Sequence, residues 1–311
     1  MIGLLRSTGT RAALSVAILW WLSTRLDMAE ALRATAAVSL PHLALVLTLV
    51  AVDRAVMVYR WWLLLTASGV PVSAGHATRI FLISSFVGSF LPAGVGGDAA
   101  RTYGLRQHTG NGGEALASVL VDRVLGMVSL GTMALAGLLA WRAGQGVSSL
   151  VTGGAVALMV GSLTLFWLDR AVHHLWADRA HATRLGRAVV RVADALSRYR
   201  DRPRALAAVL AWSIGVQILR IGEAYVLGLG LGLTVPLSAY LLFMPIGLLM
   251  LLLPVSVSGF GLPQGVFVWM LRPLGVPDAT SFALSTLIVL TGLAGNLPGL
   301  VLWLRRERES L

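Results

Sequence analysis

The sequence predicts an all-α, polytopic membrane helix bundle, with about six full spans and two re-entrant hairpins in an inverted-topology repeat. Three observations predict it. Hydrophobic residues make up 57% of the 311 positions and charged residues only 13%, about half the ~25% of a soluble domain. The apolar residues gather into runs long enough to cross a ~30 Å hydrocarbon core. Two shorter runs end in Gly/Pro-rich strings that resemble each other. A mean hydropathy of +0.79 excludes a soluble globular enzyme and a disordered chain. The absence of Cys excludes a disulfide scaffold, a thiolate nucleophile and a thiolate metal site.

Residues 12–24 form the first apolar run, preceded by Arg6 and Arg11. No small-x-small cleavage site follows before Arg25 and further spans come later, so this run reads as a signal anchor. Residues 41–66 form the second span, carrying Asp53, Arg54 and Arg60. Residues 80–91 are a short run ending at Leu91-Pro92, followed by the glycine-rich string Ala93 to Asp98. Residues 115–141 and 147–168 are long spans, 169–204 are polar, and 205–231 and 279–304 are long spans again. Between the last two, the apolar run 236–253 ends in Pro254 to Gly261.

Orientation follows from arginine. All 25 basic residues are Arg, and the net charge is +11. The chain has no zinc pattern, helix-turn-helix spacing or basic aromatic-interleaved face, so no nucleic-acid partner is expected. Nine Arg lie in 169–204, and Arg305, Arg306 and Arg308 lie in the tail. The positive-inside rule puts both regions and the N-terminus in the cytoplasm. Eight full spans, the alternative arrangement, would export the nine Arg. Two re-entrant hairpins, 78–113 from the cytoplasm and 236–277 from outside, remove the conflict, although Arg25 and Arg33 then lie outside. The expected location is the bacterial inner membrane, multi-pass, with both termini cytoplasmic.

Phe90-Leu91-Pro92-Ala93-Gly94-Val95-Gly96-Gly97 resembles Leu252-Leu253-Pro254-Val255-Ser256-Val257-Ser258-Gly259. Ala115-Leu116-Ala117-Ser118 more weakly resembles Ala283-Leu284-Ser285-Thr286. The chain therefore reads as one integral membrane domain over 1–311. Repeat one covers about 41–141 and repeat two about 205–304, joined by a cytoplasmic amphipathic linker at 169–204. Inverted repeats are the architecture of many secondary transporters. In the linker, Leu185, Val189, Val192, Leu196 and Tyr199 share one face and five Arg another, which suits a helix lying on anionic lipid; a solvated connector fits nearly as well.

Non-helical backbone at membrane depth must be buried in protein or face water. The two broken strings should therefore line a cavity, with Gly94, Gly96 and Gly97 on one side and Gly259 and Gly261 on the other; a tightly packed helix break is the plainer reading. Intramembrane charge costs ~2.5–3.5 kcal/mol per residue on insertion scales. Asp98, Arg101, Asp122 and Arg123 cluster around one hairpin and are candidate substrate contacts. Arg54 and Arg220 are secondary candidates, and Arg60, beside Trp61 and Trp62, is expected to snorkel. Gly137 sits in a plain span and should matter only for packing. No nucleophile elbow, metalloprotease motif or P-loop is present, so no catalytic residue, cofactor or metal site is expected. His173, His174 and His181 read as solvated.

Arg60-Trp61-Trp62, Leu91-Pro92 with Gly96-Gly97-Asp98-Ala99-Ala100-Arg101, and Asp122-Arg123-Val124-Leu125-Gly126 together resemble the transmembrane region of lysylphosphatidylglycerol synthases. Gly259-Phe260-Gly261-Leu262-Pro263-Gln264-Gly265 resembles that family's Gly-x-Gly-x-x-Glu-Gly segment, with Gln264 where the family often has Glu and Asp122 where it often has Glu. Only seven residues follow Leu304. The resemblance thus implies the lipid-translocating half without the synthase half. The expected function is flippase-like movement of a phosphate-bearing lipid headgroup, with Arg101 and Arg123 as phosphate contacts and Gln264 lining the opposite hairpin. The expected partner is a membrane phospholipid or polyisoprenoid lipid. The alternatives are an intramembrane enzyme or enzyme subunit acting on such a lipid, and a non-catalytic scaffold for a lipid-synthesis enzyme.

Overall fold

A computed structural model describes residues 28–90, 95–140, 184–252 and 261–309, with Trp20 and Val160. The expected spans 12–24 and 147–168, apart from those two residues, lie outside the described residues, as do 169–183, Gly94 and Gly259.

Every element described is helical: α1 (Met28–Ala36), α2 (Leu40–Ala67), α3 (Ala74–Ser89), α4 (Val95–Thr109), α5 (Gly112–Ala140), α6 (Arg184–Arg200), α7 (Pro203–Gly230), α8 (Leu237–Leu252), α9 (Leu262–Leu271), α10 (Asp278–Ala294) and α11 (Leu297–Glu309). Four stretches are long and apolar enough to cross a membrane: α2, α5, α7, and α10 with the start of α11. The chain is a multi-pass membrane protein.

Local chemistry sets the helix boundaries. Pro41 and Pro203 stand in the first turns of α2 and α7, where a missing N–H costs nothing. Gly69, at φ +81, turns the chain after α2. Ser73 caps α3 by accepting from the His76 N–H. Asn111 Oδ1 caps α5, accepting from the N–H groups of Gly113 and Glu114 at 3.1 and 3.3 Å.

α3 and α4 form an antiparallel hairpin. At one level a Cβ on Gly88 would fall 2.8 Å from Gly97 Cα, and further down a Cβ on Gly104 would meet Ile80 at 3.2 Å. With 16 and 15 residues, the two helices are ~24 and ~22 Å long at ~1.5 Å per residue. α8 and α9 form a second hairpin, in which Gly247 faces Phe267. The first hairpin packs on α2, α5 and α11, and the second on α5, α7 and α10. α2 packs along α7. Their contacts pair Arg60 with Ser213 and Asp53 with Arg220, so the two run antiparallel.

A regular spacing runs through these elements. α2 and α7 each have 28 residues, and α3 and α8 each have 16. In both pairs the second helix begins and ends 163 positions after the first.

Two sequence readings are corrected here, and two others gain structural detail. The span 279–304 is not one helix: the Asn296 N–H turns back to the Leu293 carbonyl and separates α10 from α11, with Pro298 just beyond. The freed Gly292 carbonyl accepts from Arg54 Nη2 at 3.4 Å. Gly137 is a packing position: a Cβ there would lie 2.5 Å from the Leu241 carbonyl. Pro245, four residues on, cannot donate to that carbonyl, so α5 approaches α8 where the backbone is uncovered. The linker helix α6 docks on the bundle through one face. Ala195 and Tyr199 are buried with Leu64, Val121, Leu125 and Val209, on α2, α5 and α7. Finally, α1 falls in what read as a loop. Among the described side chains of α1 only Ala31 is buried, and the helix packs on α10; nine residues without an apolar run give no span signal.

Candidate ion cluster at the first hairpin

α4 and α5 are joined by two rungs. Arg101 Nη1 donates to Asp122 Oδ2 at 3.1 Å, and one turn earlier on α4 Asp98 Oδ2 accepts from Arg123 Nε at 2.7 Å. Asp98 and Arg101 are i, i+3 on α4 and so share a face. Their partners are adjacent on α5. The Asp98–Arg123 rung is partly exposed, at 24% and 36% of the side chains. The inner rung is buried.

α2 supplies a third member. Arg60 Nη2 donates to Asp122 Oδ1 at 2.7 Å, and its Nη1 donates to Ser213 Oγ on α7 at 3.0 Å. Arg60, Arg101 and Asp122 are 4%, 7% and 5% exposed. Arg60 therefore does not snorkel; it turns inward because Asp122 lies across from it. One carboxylate holds two guanidiniums, so the triad carries one uncompensated positive charge. The Nε–H groups of both arginines are buried without a partner. The Arg101 guanidinium sits 4.2 Å from the Phe81 ring centroid and 5.4 Å from that of Trp61, which disperses part of the charge.

The other predicted residues are placed as follows. Gly97 is covered by α3: a Cβ there would lie 3.0 Å from the Ser84 carbonyl and 3.3 Å from Gly88 Cα. Its role is close helix packing rather than backbone exposure to a ligand. Gly96 is half-buried beside it. Arg54 and Arg220 both flank Asp53, at 3.5 and 3.2 Å, in a second cluster between α2 and α7. Glu223, one turn from Arg220, faces Arg54 and Arg220 there. Gln264 is fully buried at the start of α9. Its Oε1 accepts from the N–H of Gly261, which has φ +104, at 2.7 Å, and its Nε2 has no partner. Among the described residues, Gln264 has no bond to the ion cluster.

Sequence reasoning missed Arg60 as a cluster member, and Ser213, Gln217 and Ser129. Gln217 Nε2 donates to Ser129 Oγ at 3.2 Å within the buried core. A signal was present: Ser213, Gln217 and Arg220 recur at i, i+4, i+7 on an otherwise apolar span, which makes a polar stripe on one face. At the hairpin tip, Asn296 Nδ2 donates to Ser89 Oγ at 2.8 Å.

No curated protein sequence matches the chain. The family model for the lysylphosphatidylglycerol synthase TM region matches residues 10–299, a stretch that contains both hairpins and both clusters. The chain belongs to that family.

Proposed function

We propose that the protein is a flippase-like transporter of the bacterial inner membrane. It moves a phosphate-bearing lipid headgroup past the first hairpin, with Arg101 and Arg60 as the phosphate contacts. The observation that carries this reading is the two-to-one ratio of buried guanidinium to carboxylate at Asp122. A buried charge without a counter-ion is strongly unfavourable. A phosphate would supply the missing negative charge and acceptors for the unpartnered N–H groups, and guanidinium–phosphate pairs are strong.

The inverted repeat and the re-entrant hairpins belong to this proposal. The common spacing of 163 and the antiparallel run of α2 and α7 support the repeat. So do two bonds: Arg54 to Gly292 and Gln217 to Ser129, whose donors and acceptors are each separated by that same spacing. The shortness of α3 and α4 supports hairpins that turn back within the membrane. Asp98, Arg123, Arg54, Arg220 and Gln264 serve as outer contacts along the path.

The test is transport by purified protein in liposomes, read as the rate at which a fluorescent phospholipid becomes accessible to a membrane-impermeant quencher. Wild type is expected to exceed protein-free vesicles clearly. Arg101→Ala, matched for folding, is expected to fall at least tenfold. Wild-type movement at the protein-free rate overturns the proposal. Depth is tested separately with Cys at Phe90, at the hairpin tip. Labelling from the far side by an impermeant reagent means that α3 and α4 cross fully.

A further inference from the structure

We infer that Glu223, Gln264 and Ser285 form a second polar site, beside the second hairpin, and that its ligand is a proton carried by Glu223. The helix spacing points to these residues. Arg60, Arg101 and Asp122 each have a counterpart 163 positions on: Glu223 on α7, Gln264 on α9 and Ser285 on α10. α10 packs on both α7 and α9, as α5 packs on both α2 and α4. The second set keeps the burial of the first, with Gln264 and Ser285 at 0% and 1% exposure. It differs in chemistry, holding one acid and no base.

Unsatisfied atoms gather on this second set. Glu223 Oε1 and Gln264 Nε2 are buried without partners, as are the hydroxyls of Thr286 and Ser281. Thr286 and Ser281 stand 163 positions after Arg123 and Ser118. A buried carboxylate oxygen that receives no donor is costly, and a bound proton removes the charge that makes it so. The groups facing Glu223 disfavour any larger cation. They are Asp53 and Arg54 from α2 and Arg220 from its own helix; among the described residues α5, α6, α8 and α10 add no charged group. Both Asp53 oxygens already take a guanidinium, at 3.5 and 3.2 Å. A metal ion or an ammonium would thus meet two arginines and one open carboxyl, whereas a proton needs a single oxygen.

The proton also changes the charge along the seam between α2 and α7. With Glu223 ionised, Arg54 and Arg220 stand balanced against Asp53 and Glu223. With Glu223 protonated, this cluster gains one excess positive charge, next to that of the triad. The pairing of α2 with α7 sets Glu223 level with Val50, ten residues or ~15 Å along α2 from Arg60. An anion at the triad and a proton at Glu223 therefore favour each other, and the linkage is reciprocal. The proton comes from water and returns to water, so only an O–H bond forms and breaks. That this linkage powers lipid movement rests on the transport reading above; the proton site itself does not.

Infrared spectroscopy of the purified full-length protein reads the proton. Wild-type spectra minus those of Glu223→Gln are expected to show a protonated-carboxyl C=O band that is present in acid and lost in alkali within about pH 4–9, the span over which exposed and buried carboxyls titrate. If Glu223→Gln does not accumulate, Glu223→Asp takes its place, and the band is expected to move in frequency. A difference spectrum with no pH-dependent carboxyl band, or a band unmoved in the Asp variant, overturns the inference. So does a band that sodium removes at fixed pH, which would make the ligand a metal cation. In proteoliposomes, a pH gradient is expected to speed lipid movement by wild type, and Glu223→Gln is expected to lose that response. Wild-type movement that ignores the gradient, or an equal response in the variant, overturns the coupling. A titrating Glu223 band in a protein that moves no lipid overturns the transport reading alone.

Discussion

Arg101 and Asp122 meet at 3.1 Å across the boundary of α4 and α5, while the other Asp122 oxygen is held by Arg60 at 2.7 Å. This sharing makes the three side chains unequal. Removing either arginine leaves a neutral pair. Removing the carboxylate leaves two buried cations facing each other. Asp122→Ala is therefore expected to destabilise by about 3–5 kcal/mol, more than Arg60→Ala or Arg101→Ala. Thermal unfolding of the detergent-purified variants checks the ranking, and an Asp122→Ala protein as stable as Arg101→Ala would contradict it.

Glycine positions separate by what surrounds them. Gly137 lies against the Leu241 backbone, and Gly299 of α11 lies against the Leu82 carbonyl of α3. Valine at either is expected to prevent stable folding, because the obstructing atoms are backbone. Gly126, Gly215 and Gly222 have open space around them. Alanine there is expected to be neutral or to stabilise by up to about 1 kcal/mol through helix propensity. Melting temperatures of the five variants provide the measurement.

The Gln217–Ser129 bond is buried between α7 and α5. A double-mutant cycle with Gln217→Ala and Ser129→Ala should return a coupling of about 0.6 kcal/mol, within the ~1.7 kcal/mol maximum for such bonds in membranes. A coupling near zero would show that the two side chains act independently.

Tyr199 docks α6 onto the bundle, and burial pushes its hydroxyl up to about 12. An unfolded tyrosine ionises near 10. The folded form thus holds its proton where the unfolded form releases it, and stability from this group is present below pH 10 and lost as pH rises towards 12. Docking of α6 should weaken over that window, and Tyr199→Phe should remove this part of the alkaline sensitivity. Hydrogen exchange of α6 across pH 9–12 follows it; an identical alkaline loss in the Phe variant would exclude Tyr199 as its source.

Much of this was legible in the sequence because lipid makes pattern rules strict. The limits of α2, α5 and α7 fall within a few residues of the apolar runs, since a polar residue at a helix end reaches water and one in the middle must find a partner. The Leu91-Pro92 and Leu253-Pro254 strings lie 162 apart, close to the 163 of the helices. The Ala115 and Ala283 strings are 168 apart and out of step. Gly137 and Gly299, also 162 apart, carry the better signal, because each takes a neighbouring backbone. What could not be read was direction. Arg60 next to two tryptophans has the composition of a snorkelling residue, and only the position of Asp122, 62 residues later, turns it inward. The break at Gly295–Asn296 was equally hidden, since its distant ties, Arg54 and Ser89, lie in α2 and α3.

The antiparallel pairing of α2 and α7 also sets a timetable for assembly. Asp53 waits for Arg220, 167 residues downstream. At ~5–20 residues per second a ribosome needs roughly 8–30 s to make that interval. Throughout it, α2 sits in the bilayer with Asp53 accompanied by its neighbour Arg54, and with the Ser213 partner of Arg60 still unmade. The amino-terminal half is thus a nascent intermediate with an unsealed polar seam, open to membrane proteases and to insertion chaperones until α7 is delivered. A chain arrested before α7 should be cleared quickly, whereas one arrested after it should persist.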